Sequence, residues 1–314
     1  MTKEKLGERL MEKSKSNSKI ISSIIAVVVM LIVAFLGGDN ILNNITAQSK
    51  VVNNVANLEN VSAEFGDSCI SQIDINEDIL RVYYFDVGQA DSMLIVNNGK
   101  TMLIDAGNNA DGDLVVNNLK EIGIKKIDYL IGTHPHEDHI GGLDDVIENF
   151  DIGTIYMPKT TTTTKTYEDV VDAIVEKNLK ITVPKVGDTF KVGNAKCEIM
   201  SIEDNKKDLN ACSIVVRMEY NGTSYLFTGD AEKNNESARK WPQTDILKAG
   251  HHGSNTSSSQ EFLSQIQPKI IVISVGEGND YGHPHKETME RFKNLNATIY
   301  RTDESGNILL KQEN

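Results

Sequence analysis

IDYLIGTHPHEDHIGG, residues 127–142, decides the fold. Its first half is an apolar run of strand length. Its second half, THPHEDHIGG (133–142), packs His134, His136, Asp138 and His139 into an H-x-H-x-D-H pattern. Imidazole nitrogen and carboxylate oxygen are the donors that zinc and similar transition metals take. The spacing lets one tight turn offer two adjacent metal pockets, His134 and His136 facing one ion, Asp138 and His139 the other. A merely polar, His-rich loop is the plainer alternative. It is disfavoured because the chain has seven histidines and three fall in these six residues.

Outward from this turn, the chain alternates short apolar runs with amphipathic stretches. ILRVYYFDV, DSMLIV and TMLIDAG read as strands separated by turn signals such as Asn98-Gly99. DGDLVVNNLKEIGI reads as a helix with Leu114, Val115, Asn118, Leu119 and Ile122 on one side. GGLDDVIENF follows the His-rich turn as a helix. The second half repeats the pattern. Helices are expected in YEDVVDAIVEKN, EKNNESARK, SQEFLSQIQ and KETMERFKNL. Strands are expected at 181–183, 189–192, 195–202, 211–220 and 223–228, and in DILKAG, KIIVISVG, ATIYRT and NILLKQ. Two β-rich halves, each with helices to cover one face, predict an α/β, four-layer αββα sandwich. The five threonines at 160–164 read as a solvated loop.

Several strand ends carry metal-compatible groups. Asp105 ends TMLID, Asp230 ends YLFTGD, His251 and His252 follow DILKAG, and His283 and His285 follow KIIVISVG. An isolated Asp at a strand end is usually a cap or turn former. Here all seven histidines follow predicted strands, which gathers them at one rim.

The first 50 residues do not read as globular, and the remainder is long enough for one α/β domain. IISSIIAVVVMLIVAFL, residues 20–36, is uncharged and near the lower limit for a membrane span. Six basic against three acidic residues precede it within 1–19, which predicts a cytoplasmic amino end. The expected organisation is a cytoplasmic tail (1–19), a single-pass transmembrane anchor (20–36), a linker (37–76) and an extracytoplasmic domain (77–314). Secretion after signal cleavage is the second choice. The chain carries a net −13, and because residues 1–19 contribute +3, the rest carries −16. Such a surface does not gain from phosphate neutralisation, which disfavours tight nucleic-acid binding. Cys69, Cys197 and Cys212 are odd in number and are not a disulfide framework. The last two fall in apolar runs and are expected in the core.

FDVGQADSMLI, LIDAG, IDYLIGTHPHEDHIGG, LNACSIVV, YLFTGDAE, DILKAGHHGSNTS, ISVGEGNDYGHPH and YRTDESGNILL occur in this order over residues 85–310. In these segments the chain resembles the metallo-β-lactamase-fold superfamily, and within it the hydrolase domain of ComEC-type competence proteins and their free-standing relatives. The likeness does not reach the many-helix channel of full ComEC proteins, since only one apolar segment of membrane length is present. The resemblance implies two divalent metal ions, zinc before manganese. His134 and His136 would hold one, Asp138 and His139 the other, and Asp230 would bridge them. His251 would be the remaining histidine ligand, with His252 close behind. Asp105 would orient the His-rich loop from outside the ligand set. Asp86 and Asp91 would line the rim. Many members carry a further histidine before the bridging aspartate; here Asn210 stands in that region. Ala90 and Glu137 also depart from the usual pattern without removing a ligand.

Two cations about 3.5–4 Å apart hold a hydroxide and clamp a substrate oxygen. Such a site predicts hydrolysis without a Ser or Cys nucleophile. Asp138 counts with the catalytic set, and His252 or His283 would donate a proton to the leaving group. Asn210, Asp86, Asp91 and Ser254 are the candidates for touching substrate. The GHHGS and TGD motifs lean towards a phosphodiester. Hydrolysis of a lactone, thioester or cell-wall ester is the alternative chemistry, and a non-catalytic sensor or adhesion module with a structural metal is the alternative class.

Overall fold

A computed structural model describes residues 53–54, 58 and 60–313. The expected tail (1–19) and membrane span (20–36) lie outside the described residues, as does the first part of the expected linker, residues 37–52. Among the described residues no helix is long and apolar enough to cross a membrane.

Two mixed sheets form the centre. The first holds β1 (Asn53–Asn54), β2 (Val61–Phe65), β3 (Leu80–Tyr84), β4 (Met93–Asn97), β5 (Lys100–Ile104), β6 (Lys126–Ile131), β7 (Asp151–Tyr156), β8 (Ile181–Thr182) and the last strand, β16 (Ile308–Gln312). Their order is β1-β2-β16-β3-β4-β5-β6-β7-β8. The second holds β9 (Thr189–Val192), β10 (Ala195–Ser201), β11 (Val215–Tyr220), β12 (Thr223–Phe227), β13 (Ile246–Lys248), β14 (Ile270–Ile273) and β15 (Thr298–Arg301), in the order β15-β14-β13-β12-β11-β10-β9. Strands β5 to β8 run parallel, as do β12 to β15. Parallel strands covered on both faces read as continuous apolar runs, which is how IIVI of β14 reads and why all four of its residues are buried.

The helices are α1 (Gly112–Ile122), α2 (Glu137–Ile140), α3 (Leu143–Asn149), α4 (Lys165–Glu176), α5 (Lys233–Ser237), α6 (Gln260–Ile266), α7 (Lys286–Lys293) and α8 (Thr302–Ser305). Three buried clusters show the layering. Leu119, Val146 and Val170 of α1, α3 and α4 pack on Leu103 and Leu130 of the first sheet. Tyr84, Ile95 and Met102 of that sheet meet Met218, Phe227 and Val272 of the second. The far face of the second sheet, through Leu247 and Ile271, carries Phe262 of α6 and Phe292 of α7. The layers run helices, sheet, sheet, helices.

Several details differ from the sequence expectation. Val61–Phe65 is a strand paired with β16 along its whole length. Val61 and Ala63 are buried, and Cys69 just beyond is buried too, so the sheet takes in part of the expected linker. Further upstream in the expected linker, Asn53–Asn54 pairs with β2. Leu114 is 43% exposed, and Val116 is buried in its stead; the apolar face of α1 runs through Val115, Val116, Leu119 and Ile122 at helical spacing. The expected strand 211–220 begins only at Val215, because Asn210–Cys212 is a 3-10 turn. DIGTIY forms β7 although its side chains are mostly not buried. Gly153 lets it in, since a Cβ there would meet the Asp128 carbonyl at 2.4 Å. Cys197 and Cys212 are buried, as expected.

Candidate metal centre

The parallel strands of both sheets end at one rim. Ligands of open α/β sheets bind beyond the carboxyl ends of the strands, and the described polar cluster sits there. The loop after β5 starts at Asp105, which takes φ 58, a left-handed conformation that Asp tolerates better than most residues. The turn after β6 is tied to it. Thr133 donates its backbone N–H to Asp105 Oδ1 (2.8 Å) and its hydroxyl to Oδ2 (2.7 Å). The Ala106 N–H donates to the His139 carbonyl, and the Asp91 N–H to that of Asp138. Gly141 closes the seam: a Cβ there would lie 2.2 Å from the Asn108 backbone.

These bonds fix which nitrogen each imidazole presents. His139 Nδ1 lies 2.8 Å from Asp105 Oδ2 and donates to it, which bares Nε2. That nitrogen is 3.2 Å from Asp230 Oδ1 and 3.6 Å from Asp138 Oδ2. His252 Nδ1 donates to the Ser274 carbonyl (3.0 Å). Its Nε2 is 3.2 Å from Asp138 Oδ2 and 3.7 Å from Asp230 Oδ1. Asp138, His139, Asp230 and His252 therefore offer four ligand atoms within 4.8 Å of one another. His139 Nε2 and Asp230 Oδ1 are buried and have no hydrogen-bond partner. Buried polar atoms are rarely left so, and lone pairs converging on one point suit a cation. The donor set fits a divalent transition metal.

A second group faces the other oxygen of Asp230. His251 Nε2 is 3.5 Å from Asp230 Oδ2, and His251 Nδ1 is 3.3 Å from Glu232 Oε1. Asn210 Nδ2 donates to the same Glu232 oxygen (3.2 Å). His134 Nε2 and His136 Nδ1 converge at 3.0 Å, while His134 Nδ1 faces the Thr133 and Ser213 hydroxyls. His251 and His252 both take positive φ, 50 and 52. Two successive non-glycine residues in that region cost on the order of 1–3 kcal/mol each, and the conformation aims their rings into neighbouring clusters.

The electrostatics agree with a cation site. Burial resists charge on His139, but Asp230, Asp138 and Asp105 outweigh it and push its pKa well above the usual value. Burial likewise opposes ionisation of Asp230, yet His139, His252 and His251 hold it well below the carboxylate range. Burial, with His139 adding to it, drives His134 well below the ordinary imidazole value, and burial lowers His136 too. These two stay neutral, the form that binds metal.

Residues 85–277 match the pattern of the metallo-beta-lactamase superfamily. The chain belongs to that superfamily. It is 32% identical over 257 residues to ComE operon protein 3 of Bacillus subtilis (strain 168), covering 74% of this chain and 33% of that protein. It is 31% identical to Recombination protein 2 of Haemophilus influenzae over 73% of this chain and 28% of that protein. It is 29% identical to Competence protein ComA of Neisseria gonorrhoeae over 74% of this chain and 32% of that protein. The chain thus spans about a third of the length of these curated relatives. It is a metallo-beta-lactamase-fold domain related to the ComEC-type proteins, with a candidate His/Asp metal site.

Within this superfamily site, the expected residues separate into groups. His134, His136, Asp138, His139, Asp230, His251 and His252 come together, and Asp105 orients His139. His283 and Asn210 line the adjoining cleft. Asp91, expected at the rim, does not line it. It is fully buried, with Oδ2 2.7 Å from Lys248 Nζ and Oδ1 3.4 Å from His252 Nδ1. Ser254 is buried and turns its hydroxyl to Thr256. Asp86 accepts from Gly88 N–H and is not among the lining residues. The sequence alone does not single out Gln89, Tyr281, Glu232 or Lys248. Only Lys248 carried a signal: a lysine inside an apolar strand needs a buried partner.

Proposed function

We propose that this domain hydrolyses phosphodiesters with two divalent cations, zinc or manganese. The observation that carries the reading is Asp230, whose Oδ1 faces His139 and His252 and whose Oδ2 faces His251. His134, His136 and His251 with Asp230 Oδ2 would hold one ion. Asp138, His139 and His252 with Asp230 Oδ1 would hold the other. A bound pair of such ions supplies Lewis acidity and a water that ionises near neutral pH.

The side chains of this chain do the rest. His252 is anchored through Nδ1 and turned towards Asp138, so it serves as a ligand and not as a proton donor. His283 is the better partner for the leaving oxygen. Gln89 Oε1 accepts from the Gly276 N–H (3.2 Å), which turns Gln89 Nε2 to donate to His283 Nδ1 (3.2 Å). His283 then carries its proton on Nε2. Burial, with His251, His252 and His285 nearby, lowers its pKa to about 4. It therefore acts at pH 7 as a neutral hydrogen-bond donor. Glu232 and Asn210 hold the His251 ring, and Asp105 holds that of His139.

The substrate class is supported by the kinship with proteins named for competence and recombination. The domain would act outside the cytoplasm, tethered through residues 20–36. The full chain, loaded with zinc or manganese, should turn over bis-p-nitrophenyl phosphate, and Asp230→Asn should abolish turnover while the protein stays folded. Turnover that survives Asp230→Asn or full chelation would overturn the reading.

A further inference from the structure

Tyr281 stands 69% exposed at the mouth of the cleft. A large aromatic side chain left in water forgoes the burial that would stabilise it. Its ring is nevertheless held in place. It stacks on His283 with centroids 5.6 Å apart and planes 23° from parallel. The loop beneath is braced by Asn279, whose Nδ2 donates to the Gly276 and His283 carbonyls and whose Oδ1 accepts the His283 N–H. His283 is further fixed by Gln89. The outer face of Tyr281 is thus a positioned, solvent-exposed π-surface beside the candidate metal centre.

The cleft's charge limits what lies on that surface. No Lys or Arg is among the residues lining it, and Glu137 adds a further acidic group to Asp138 and Asp230. Proteins that track a nucleic-acid strand use a positive groove along the backbone. The cleft is also small, about 290 Å3, at the low end for small-molecule sites.

We propose that Tyr281, backed by His283, is a specificity-determining residue that stacks on a planar base next to the scissile phosphodiester, and that the cleft grips one such unit and not an extended strand. This rests on the phosphodiesterase reading for its substrate but not for its test. The full chain loaded with manganese is titrated calorimetrically with adenosine 5′-monophosphate and with ribose 5-phosphate, which share the 5′-phosphate and ribose but of which only the first carries a base. The expected preference for the base-bearing ligand is about tenfold or more, as base–aromatic stacking commonly gives. Tyr281→Ala should shrink it to within about twofold, and Tyr281→Phe should keep it. Absence of preference in the parent chain, or its survival in Tyr281→Ala, overturns the proposal. A single strand of about fifteen nucleotides should show a salt slope no steeper than the mononucleotide; a steep slope would reveal backbone tracking and overturn the short grip. Turnover of bis-p-nitrophenyl phosphate by the same protein is read separately. Preference without turnover removes the phosphodiesterase reading and leaves the stacking residue; turnover without preference does the reverse.

Discussion

Asp91 and Lys248 show how a single buried pair supports this centre. Both side chains are fully buried, and Lys248 also donates to the Ala249 carbonyl (3.1 Å). Replacing one partner strands the other charge in the interior. Lys248→Met should therefore destabilise the fold by about 3–5 kcal/mol, read as a lower urea midpoint. Lys248→Met combined with Asp91→Leu should recover much of that loss, because no orphan charge remains. Asp105 acts on the metal as well as on the fold, since it also accepts the Thr133 N–H and hydroxyl. Asp105→Ala frees the His139 ring and should weaken metal binding about 10- to 100-fold, measured by competition with a metal-binding dye. The histidines were legible in sequence because imidazole is rare and chemically specific. Gln89, Tyr281 and Glu232 were not, since each residue type is common on surfaces and becomes informative only when folding brings it against a histidine.

Among the elements, the junction of β12 and β13 is tied by Asp245. Its carboxylate accepts the Ser224 N–H (2.9 Å) and hydroxyl (2.8 Å) and pairs with Lys269. Burial opposes its ionisation, but the bonds from Lys269 and Ser224 prevail and lower its pKa. A depressed carboxylate contributes stability above its unfolded value, about 3.9, and loses it as pH falls through the lower folded value. Asp245→Asn should thus be less stable than the parent at pH 7. The gap should persist at pH 5 and close below pH 4 in urea unfolding followed at each pH. Element type was readable where strands are buried on both faces, as in β4 and β14. It was not where the pattern is weak: β7 exposes much of its length, and the 3-10 turn at Asn210–Cys212 has the same apolar look as the strand that follows it.

At the scale of the whole molecule, the boundary of the domain is the sharpest departure from what composition suggests. Polar residues before position 77 read as a tether, yet β2 supplies the strand beside β16 and buries Val61 and Ala63 in the layer between the sheets. Composition hides this because β2 is short and flanked by Asn, Ser and acidic residues, while its pairing partner lies some 250 positions away, between residues 62 and 311. A chain beginning at residue 77 would leave the hydrogen-bonding edge of β16 bare and uncover the apolar residues beneath β2. Open apolar edges invite pairing between molecules. Residues 77–314 should consequently express as aggregate or melt well below residues 50–314, which retain β1 and β2. Size-exclusion chromatography and thermal unfolding of the two forms check this. Equal melting temperatures and a monomeric 77–314 would show that β2 is dispensable, and would return the boundary to where the composition first put it.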